Sequence, residues 1–365
     1  MRELHGSRIV VEPGLLDRVG DLLRNTDRLA RARVAIITDE TVGALYGPQL
    51  RAALGPLGAP AAAAMLTVPA GEASKTRKQW SRLTDELLEA GYGRDSIIIA
   101  LGGGVVGDLA GFVAATFMRG VPVVQVPTTL LAMIDAAIGG KTGVDTRAGK
   151  NLVGAFHQAT LVLADPVVLR TLPHEHLRSG LAEAVKHAVI ASPSLLEAIE
   201  SGAGELLQEG GPPTGVAEQL VSANIRIKAD VVEQDEHEGG IRKILNFGHT
   251  IGHAIESASD YTLSHGECVA IGMVAESRLA VRLRLAAPEV ASSIERVLRT
   301  LGLSVHRPES LSPEKLLAAT RSDKKARAGQ VEYVLPITIG RMAGEARGYG
   351  IPVADDLVHA VLAEL

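Results

Sequence analysis

The 365-residue sequence is poor in several residue types, and each shortage excludes a class of protein. It contains one cysteine, Cys268, so no disulfide can form within the chain and a zinc site built from cysteines is excluded. A chain without disulfides is typical of a reducing compartment. Aromatic residues make up only 3% of the chain, which argues against a surface that binds sugars or bases by stacking.

Strong positive charge and long apolar segments are also missing. The net charge is −5, and lysine and arginine form no long run, so nucleic acid and anionic membranes are disfavoured as partners. The most apolar stretch, residues 121–138, is interrupted by prolines, a glutamine and an aspartate, and no segment offers about 20 uninterrupted apolar residues. The first residues lack the apolar core of a secretion signal. We expect a soluble, cytoplasmic protein.

Lysine is scarce as well, with 10 lysines among the 37 basic residues. The places where an arginine-rich chain keeps lysine therefore deserve inspection. Lys141 and Lys150 lie in the glycine-containing segments Gly-Gly-Lys-Thr-Gly and Gly-Lys-Asn. Glycine-rich loops that carry lysine are suited to binding phosphate or carboxylate groups, although a single lysine is ordinarily a solvated surface residue.

Short β-branched runs alternate with helical patterns in the first half of the chain, as in α/β domains with a mainly parallel sheet. The runs are nearly continuous in apolar residues, which is typical of strands buried on both faces. The predicted strands are Arg33–Thr38, Ser96–Leu101, Val121–Val126 and Leu161–Ala164.

The pattern changes near residue 172, where we place a domain boundary that separates residues 1–172 from residues 173–365. The second part is predicted to be mostly helical, with one strand near its end at Val331–Ile339. The predicted helices are Glu175–Ala191, Val216–Glu236, Ile241–Ser257, His265–Ala286 and Asp355–Leu365.

A glycine-rich turn follows the strand predicted at Ser96–Leu101. Gly102, Gly104 and Gly107 fit the pattern G-x-G-x-x-G, which lets backbone N–H groups approach a pyrophosphate at a helix N-terminus. The motif lies far from the first βα unit, and no acidic residue ends the next strand. A tight turn that only allows a helix to pack closely against the sheet is therefore an equally good interpretation.

Two acidic residues could complete a nucleotide site. Asp39 follows the first predicted strand, and Glu72 lies in a polar turn before a helical segment. A carboxylate at the C-terminal end of a strand can bind ribose hydroxyls. Helix capping or first-turn charge is the alternative, and the residues alone favour it.

Histidines and a carboxylate suggest a metal site in the second half. His249 and His253 are spaced i and i+4 on one helix face, and His265 follows twelve residues after His253. Such a set is suited to a divalent metal, usually zinc, while the Thr250 between the pair excludes the metalloprotease motif. Glu183 is the best distant carboxylate ligand, although an ion pair with Lys186 also explains it.

These motifs together resemble one family, 3-dehydroquinate synthase, of the sugar phosphate cyclase superfamily. The resemblance extends from Asp39 to the Asp-Lys-Lys segment at residues 323–325. It implies an α/β N-terminal domain with a mainly parallel, Rossmann-like sheet, followed by a mostly α-helical C-terminal domain. The most specific segments are Gly102–Asp108, Gly139–Phe156, Gly180–Lys186 and Asn246–His265.

The resemblance also implies residue roles. The positions that match NAD binding are Asp39, Glu72, Lys75, Gly103, Gly104, Val105, Asp108, Thr128 and Thr129, with Lys150 beside both cofactor and substrate. The positions that match zinc ligands are Glu183, His249 and His265, which leaves His253 as a catalytic or substrate-contacting residue. The other substrate-contacting positions are Asp135, Lys141, Asn151, Lys186, Lys228, Arg242, Asn246 and Lys324, the last chosen over Lys325. Arg119 matches an arginine that reaches the substrate phosphate across a homodimer interface.

The implied substrate is a phosphorylated sugar acid, 3-deoxy-D-arabino-heptulosonate 7-phosphate, and the implied cofactors are NAD and a divalent metal, Zn²⁺ or Co²⁺. Alternatives within the superfamily are amino-3-dehydroquinate synthase, 2-epi-5-epi-valiolone synthase and 2-deoxy-scyllo-inosose synthase. A glycerol-type, metal-dependent alcohol dehydrogenase and a non-catalytic homologue are more distant alternatives. Asp145 and His187 depart from the residues that are frequent in the family, asparagine and tyrosine, and neither is assigned to the chemistry.

Overall fold

A computed structural model describes residues 1–26, 29–55, 63–147, 149–322 and 331–365. The chain divides into two compact units by its internal contacts. The first unit comprises Met1–Leu172 and Thr214–Ile225, and the second comprises Pro173–Pro213 and Arg226–Leu365.

A seven-stranded sheet forms the centre of the first unit. Its strands are β1 (Arg2–Leu4), β2 (Ser7–Val11), β3 (Arg33–Asp39), β4 (Ala64–Val68), β5 (Ser96–Gly102), β6 (Val123–Pro127) and β9 (Leu161–Ala164). The spatial order is β1-β2-β9-β6-β5-β3-β4, and every pairing is parallel except that of β1 with β2. The prediction of a mainly parallel sheet is confirmed, and the four predicted strands correspond to β3, β5, β6 and β9.

Burial explains why these segments form strands. All seven residues of β5 are buried, as are the five of β6 and the four of β9, so these strands are covered on both faces. The helices of this unit are α1 (Val19–Arg24), α2 (Glu40–Leu54), α3 (Arg77–Glu89) and α4 (Gly104–Thr116). The N-cap side chains of α2 and α3 are Asp39 and Thr76, which accept hydrogen bonds from first-turn N–H groups.

The strand order creates a switch point between β3 and β5. From β3 the chain runs outward to β4 on one side, and it then returns to place β5 on the other side of β3. In open α/β sheets, ligands bind outside the carboxyl ends of the strands at such a point. Asp39 ends β3 and Gly102 ends β5, so the acidic residue and the glycine-rich turn lie on neighbouring strands.

The lysine-bearing segments that the sequence suggests as loops form an antiparallel hairpin instead. Its strands are β7 (Lys141–Thr146) and β8 (Gly149–Phe156). Gly143 and Gly154 face each other in this hairpin, and a Cβ on Gly154 would lie 2.1 Å from the carbonyl oxygen of Thr142. Gly143 and Gly154 are therefore required by the close approach of the two strands rather than by loop flexibility.

The second unit is mostly helical, as predicted. Its helices are α5 (His174–Ala191), α6 (Pro193–Ser201), α7 (Ala203–Leu206), α8 (Thr214–Gln234, whose first turns belong to the first unit), α9 (His249–Ala258), α10 (His265–Arg282), α11 (Pro288–Thr300), α12 (Pro313–Ser322) and α13 (Asp355–Ala363). Two short antiparallel pairs accompany them. They are β10 (Glu332–Tyr333) with β13 (Ile351–Pro352), and β11 (Pro336–Thr338) with β12 (Arg341–Met342).

Two predicted elements are wrong in extent. The helix predicted at Ile241–Ser257 is a 3₁₀ turn over Ile241–Asn246 followed by α9, because Gly248 takes a left-handed conformation with φ 79°. A side chain at Gly248 would lie 2.5 Å from Cγ of Met273, so glycine is required there. The strand predicted at Val331–Ile339 divides into β10 and β11, which pair with different partners.

The helices of the described part of the chain were compared with the length and hydropathy that a membrane span requires. None of its helices is both long enough and apolar enough to cross a bilayer.

The contact between α9 and α10 predicts a large effect of a small substitution. A Cβ added at Gly272 would lie 1.9 Å from the carbonyl oxygen of Gly248 and 2.8 Å from the amide nitrogen of Gly252. Gly272→Ala must therefore push the helices apart, and we expect the free energy of unfolding to fall by about 1–3 kcal/mol in denaturant titrations. Gly204→Ala in α7 is the control, because its Cβ meets nothing within 4 Å. Equal stability of the two variants would contradict this packing.

Candidate active site

The glycine-rich turn at the end of β5 has a specific reason for each glycine. A Cβ on Gly102 would lie 2.6 Å from Cβ of Val106, and one on Gly104 would lie 3.3 Å from Cβ of Ala136. A Cβ on Gly107 would lie 2.9 Å from Oε1 of Gln125, whose Nε2 donates to the Gly107 carbonyl at 3.0 Å. The third glycine thus allows the helix to pack against the sheet, the first keeps the turn narrow, and the second makes room for Ala136.

The turn leads into a helix N-terminus that can receive an anion. Gly103 is the N-cap of α4 and has no side chain with which to cap it, so the first N–H groups of this 13-residue helix remain available. Thr128 follows β6, and its buried Oγ1 has no hydrogen-bond partner within the described residues. The neighbouring Thr129 Oγ1 accepts from the amide of Ala132. An uncapped helix start beside an unsatisfied hydroxyl fits the pyrophosphate of a dinucleotide.

Asp39 is the N-cap of α2, and only one of its two carboxylate oxygens takes part in the capping hydrogen bonds. Its Oδ1 accepts hydrogen bonds from the amides of Thr41 and Val42, both at 2.9 Å. Since β3 is the direct neighbour of β5, Asp39 occupies the strand-end position from which a carboxylate can bind ribose. In the usual dinucleotide-binding pattern the acidic residue ends the strand that follows the glycine-rich turn, which here is β6. In this chain Asp39, at the end of the earlier strand β3, occupies a comparable position.

Glu72, Lys75, Asp108 and Lys150 form a charged cluster beyond β4. Lys75 Nζ lies 2.5 Å from Asp108 Oδ2 and 4.0 Å from Glu72 Oε1, and Lys150 Nζ lies 3.7 Å from the same Glu72 oxygen. Burial by itself would lower the pKa of the Lys75 ammonium group. The negative charges of Asp108 and Glu72 outweigh this effect, so the pKa is raised. Lys75 is thus held as a charged residue against Asp108.

Asp145, which the sequence analysis leaves outside the chemistry, connects this cluster to the β7–β8 hairpin. Its backbone N–H donates to the Lys75 carbonyl at 2.7 Å, and its Oδ1 accepts from the Asn151 amide at 2.8 Å. Asn151 has φ 55°, a left-handed conformation that the hydrogen bond to Asp145 stabilises. The pKa of the Asp145 carboxyl is raised, mainly because the group is partly buried and also because Glu72 is near. The hydrogen bond from the Asn151 N–H and the positive charge of Lys75 lower this pKa, but by less.

The remaining candidates of the first unit lie on three different elements. Asp135 is in a π-helical turn over Ala132–Ala136, a rare geometry that is frequent at functional sites. Lys141 is exposed at the start of β7. Arg119 is exposed in the turn after α4, where Met118 and Arg119 have φ 52° and 67°. Two consecutive left-handed residues are costly, and such strain is concentrated at functional positions.

In the second unit, three predicted metal ligands come together. Glu183 is fully buried on α5, and its Oε1 lies 3.5 Å from Nε2 of His249 and 3.2 Å from Nε2 of His265. His249 is the first residue of α9 and His265 the first of α10. All three donor atoms lie within 4.8 Å of one another. Ligands 2.0–2.2 Å from a tetrahedral zinc ion are about 3.3–3.6 Å apart, which is close to the observed spacings.

The histidines are oriented by contacts at their other ring nitrogens. His249 Nδ1 lies 3.1 Å from the Phe247 carbonyl oxygen, and His265 Nδ1 lies 3.2 Å from Glu256 Oε1. An imidazole that donates its Nδ1–H in this way directs Nε2 toward the metal. Glu256 is a site residue that the sequence analysis missed. Its position nine residues before His265 gives no periodic signal, because the two lie on different helices.

The electrostatics of the cluster favour a cation at its centre. Burial lowers the pKa of His249, and the Lys186 charge lowers it further, so Nε2 keeps its lone pair at neutral pH. Burial also works against a charged His265, but hydrogen bonds to Glu183 and Glu256 prevail and raise its pKa to about 10. The carboxylate and the two imidazoles offer oxygen and nitrogen donors within 4.8 Å of one another, so the residues fit a zinc-type ion.

The other candidates of the second unit lie around this cluster or on neighbouring elements. Lys186, one turn after Glu183, forms a buried ion pair with it, so the ion pair and the ligand cluster coexist. The His253 ring centroid lies 5.2 Å from that of His249 and 6.4 Å from that of His265. Lys228 is buried on α8. Lys324 and Lys325 lie outside the described residues.

Arg242 and Asn246 lie in the 3₁₀ turn before α9, and each donates a hydrogen bond to an acidic side chain. Asp235 Oδ2 accepts from the amides of Gly240 and Arg242 at 2.7 and 3.0 Å, while its Oδ1 accepts from Gly239 at 2.9 Å. The Arg242 guanidinium is buried and donates to the Glu236 carbonyl. Asn246 Nδ2 donates to Glu238 Oε1 at 2.5 Å. Asp235 is thus a second residue that the sequence analysis missed.

Solved structures of sugar cyclases share this fold. A structure of 2-deoxy-scyllo-inosose synthase complexed with carbaglucose-6-phosphate, NAD⁺ and Co²⁺ matches with a TM-score of 0.88 and 27% identity, covering 98% of this chain and 96% of that chain. A 2-epi-5-epi-valiolone synthase from Streptomyces hygroscopicus, with NAD⁺ and Zn²⁺ bound, has a TM-score of 0.87 and 31% identity, covering 100% and 97%. The fold and the ligand cluster therefore define a protein of the dehydroquinate synthase-like, sugar phosphate cyclase class.

Sequence comparisons identify the family within this class. The 3-dehydroquinate synthase N-terminal family model matches residues 65–179, and the C-terminal model matches residues 180–326. The 3-dehydroquinate synthase of Symbiobacterium thermophilum is 47% identical over 335 residues, which are 92% of this chain and 92% of that protein. The chain belongs to the 3-dehydroquinate synthase family.

The ligand cluster predicts which histidine variants lose metal. Because His249 contributes Nε2 to the cluster while His253 lies beside it, we expect His249→Ala to be purified without stoichiometric metal and His253→Ala to retain it. Elemental analysis of both purified variants, with the wild type as reference, measures this difference. Stoichiometric zinc in His249→Ala, or its loss from His253→Ala alone, would contradict the ligand assignment.

Proposed function

We propose that this protein is a phosphate-eliminating lyase that converts 3-deoxy-D-arabino-heptulosonate 7-phosphate into 3-dehydroquinate and phosphate. The observation that carries the proposal is the Glu183–His249–His265 cluster, with donor atoms at metal-ligand spacing, in a chain of this family. The reaction has no net redox change, since the hydroxyl at C5 is oxidised and later restored. Between these steps phosphate leaves by β-elimination, and an aldol closure then forms the ring.

The first unit is proposed to hold NAD. The amides of Gly103, Gly104 and Val105 at the start of α4, with Thr128 and Thr129, would receive the pyrophosphate, and Asp39 the ribose. Lys75 and Asp108, as a closed ion pair, would frame the pocket with Glu72 and Lys150. When bound, NAD supplies reversible hydride transfer at C5. The solved valiolone and inosose synthases contain NAD⁺, which supports this assignment.

The second unit is proposed to hold Zn²⁺ or Co²⁺ through Glu183, His249 and His265. When bound, the metal supplies Lewis-acid polarisation of the substrate oxygen at C5. Glu256 and the Phe247 carbonyl keep the two imidazoles in the tautomer that presents Nε2. Lys186 would neutralise Glu183, and His253, whose ring lies beside those of His249 and His265, would exchange protons with a substrate hydroxyl.

The remaining polar residues are proposed to bind the two anionic groups of the substrate. Lys141 and Asn151 on the hairpin, Asn246 before α9, and Lys324 would bind the phosphate, with Asp135 facing a hydroxyl. Arg242 and Lys228 would bind the carboxylate or nearby hydroxyls. Much of the rate enhancement would then come from positioning and fixed charge. An oxygen of the departing phosphate would itself remove the C6 proton.

A homodimer is proposed in which Arg119 of the partner subunit completes the phosphate site. Arg119 is exposed in a strained turn, and strained backbone of this kind is concentrated at functional positions. Val153 and Phe156 of β8 are exposed apolar side chains at 36% and 48%, as expected for a hairpin that contacts a second chain.

Product analysis tests the reaction. With NAD⁺, Zn²⁺ and the heptulosonate phosphate, we expect equal amounts of phosphate and 3-dehydroquinate and no accumulation of NADH, because the hydride returns to the substrate. Glucose 6-phosphate, which lacks the carboxylate, is the control substrate and should not turn over. Accumulating NADH would favour a dehydrogenase, and turnover of glucose 6-phosphate would favour another cyclase.

Mixed dimers test the role of Arg119. Arg119→Ala and His253→Ala homodimers should each be nearly inactive, for lack of the phosphate contact and of the proton-exchanging group. In a heterodimer of the two, purified through different tags, one site has both residues intact if Arg119 acts across the interface. We expect about half of the wild-type rate for that reason. A heterodimer no more active than its parents would contradict the trans assignment, as would an active Arg119→Ala homodimer.

A further inference from the structure

Glu276 is a buried carboxylate on α10 to which neither the family resemblance nor the proposed chemistry gives a role. Its side chain is fully buried, at 0% exposure. Its Oε2 accepts from the Gly248 amide at 2.7 Å and its Oε1 from the Ile251 amide at 3.3 Å. Both donors belong to the start of α9, so the two oxygens of one carboxylate bind the N-terminus of a neighbouring helix.

The start of α9 needs such a partner. A helix begins with N–H groups that have no acceptor within it, and they are usually satisfied by the N-cap side chain. The N-cap of α9 is Gly248, which has no side chain and is left-handed. A carboxylate from α10 takes over this function, because its two oxygens accept hydrogen bonds from these N–H groups.

The helix capped in this way begins with a proposed metal ligand. His249 is the first residue of α9, so the direction of its Nε2 follows from the placement of the first helical turn. His265 is the first residue of α10, and Glu276 follows eleven residues later, about three turns along the same face. One helix therefore supplies one ligand and holds the start of the helix that supplies the other.

Backbone contact between the helices reinforces this coupling. The space beside Gly272, between His265 and Glu276 on α10, is filled by the carbonyl oxygen of Gly248. With no side chains separating the helices at this point, a shift of the first turn of α9 along α10 would change the distance between the two Nε2 atoms directly.

We propose that Glu276 is a positioning residue of the metal site. It fixes the first turn of α9 against α10 and so sets the separation of the His249 and His265 Nε2 atoms that a divalent metal requires. The inference rests on the proposed function, since it takes these histidines as metal ligands.

Metal affinity of the metal-free protein tests the inference. Glu276→Gln keeps the size of the side chain but places an NH₂ donor against one of the two N–H groups, so the first turn should move. We expect Zn²⁺ affinity, measured by competition with a chelator, to fall about 10–100-fold, the usual cost of losing a residue that orients a ligand. The control is Ser277→Ala, an equally buried neighbour whose Oγ donates to the Val274 carbonyl within α10, and it should retain wild-type affinity.

A spectroscopic readout separates positioning from a general loss of stability. The visible absorption bands of bound Co²⁺ report coordination geometry, and they should change in Glu276→Gln but not in Ser277→Ala. Equal Zn²⁺ affinities and identical Co²⁺ spectra in the two variants would overturn the inference. If Glu276→Gln does not fold, Glu276→Asp replaces it: the charge stays but the carboxylate withdraws by one methylene, so weaker Zn²⁺ binding is expected and wild-type binding overturns the inference.

The His249→Ala variant separates a failure of the proposed metal site from a failure of the proposed role of Glu276. Unchanged Zn²⁺ affinity in His249→Ala would refute the metal site, and the proposed function with it. Weakened binding in His249→Ala combined with wild-type binding in Glu276→Gln would refute only the positioning role of Glu276.

Discussion

The buried carboxylate of Glu183 is the constraint around which the second unit is organised. Burying a charge in an apolar helix costs several kcal/mol unless partners compensate it. Glu183 has three partners, namely Lys186 on its own helix and the imidazoles of the first residues of α9 and α10. Satisfying this one side chain therefore requires that two helices begin at its position.

Carboxylates also organise the residues around that centre. Glu256 orients His265, Asp235 gathers the loop that presents Arg242, and Glu276 caps the helix of His249. In each case an acidic side chain fixes a backbone segment or an imidazole, while the groups proposed to meet substrate are mostly cationic or imidazole. Carboxylates with this structural role contribute to the acidic net charge of the chain, although the proposed substrate is anionic.

The lysines illustrate how far residue chemistry can be predicted. The sequence suggests lysines in glycine-rich segments as anion-binding groups; Lys141 is exposed at the start of β7, and its role stays a prediction. Lys75 and Lys186 are buried in ion pairs with Asp108 and Glu183, and the second pair is one that the sequence spacing already suggested. A compact ammonium group on a flexible stem can neutralise a buried carboxylate where a guanidinium would need more space and more acceptors.

The sequence by itself determined the elements whose signal is local. Continuous apolar runs identified β3, β5, β6 and β9, and the family motifs identified Glu183, His249 and His265. The sequence could not supply contacts between distant segments. Asp39 lies beside the glycine-rich turn only because the chain reverses its direction of winding between β3 and β5. Gly248 breaks a predicted helix because α10 leaves no room for a side chain there, and Glu276 reaches that break from 28 residues away. Only the tertiary structure decided these features, because the partner that gives each residue its role is adjacent in space and not in sequence.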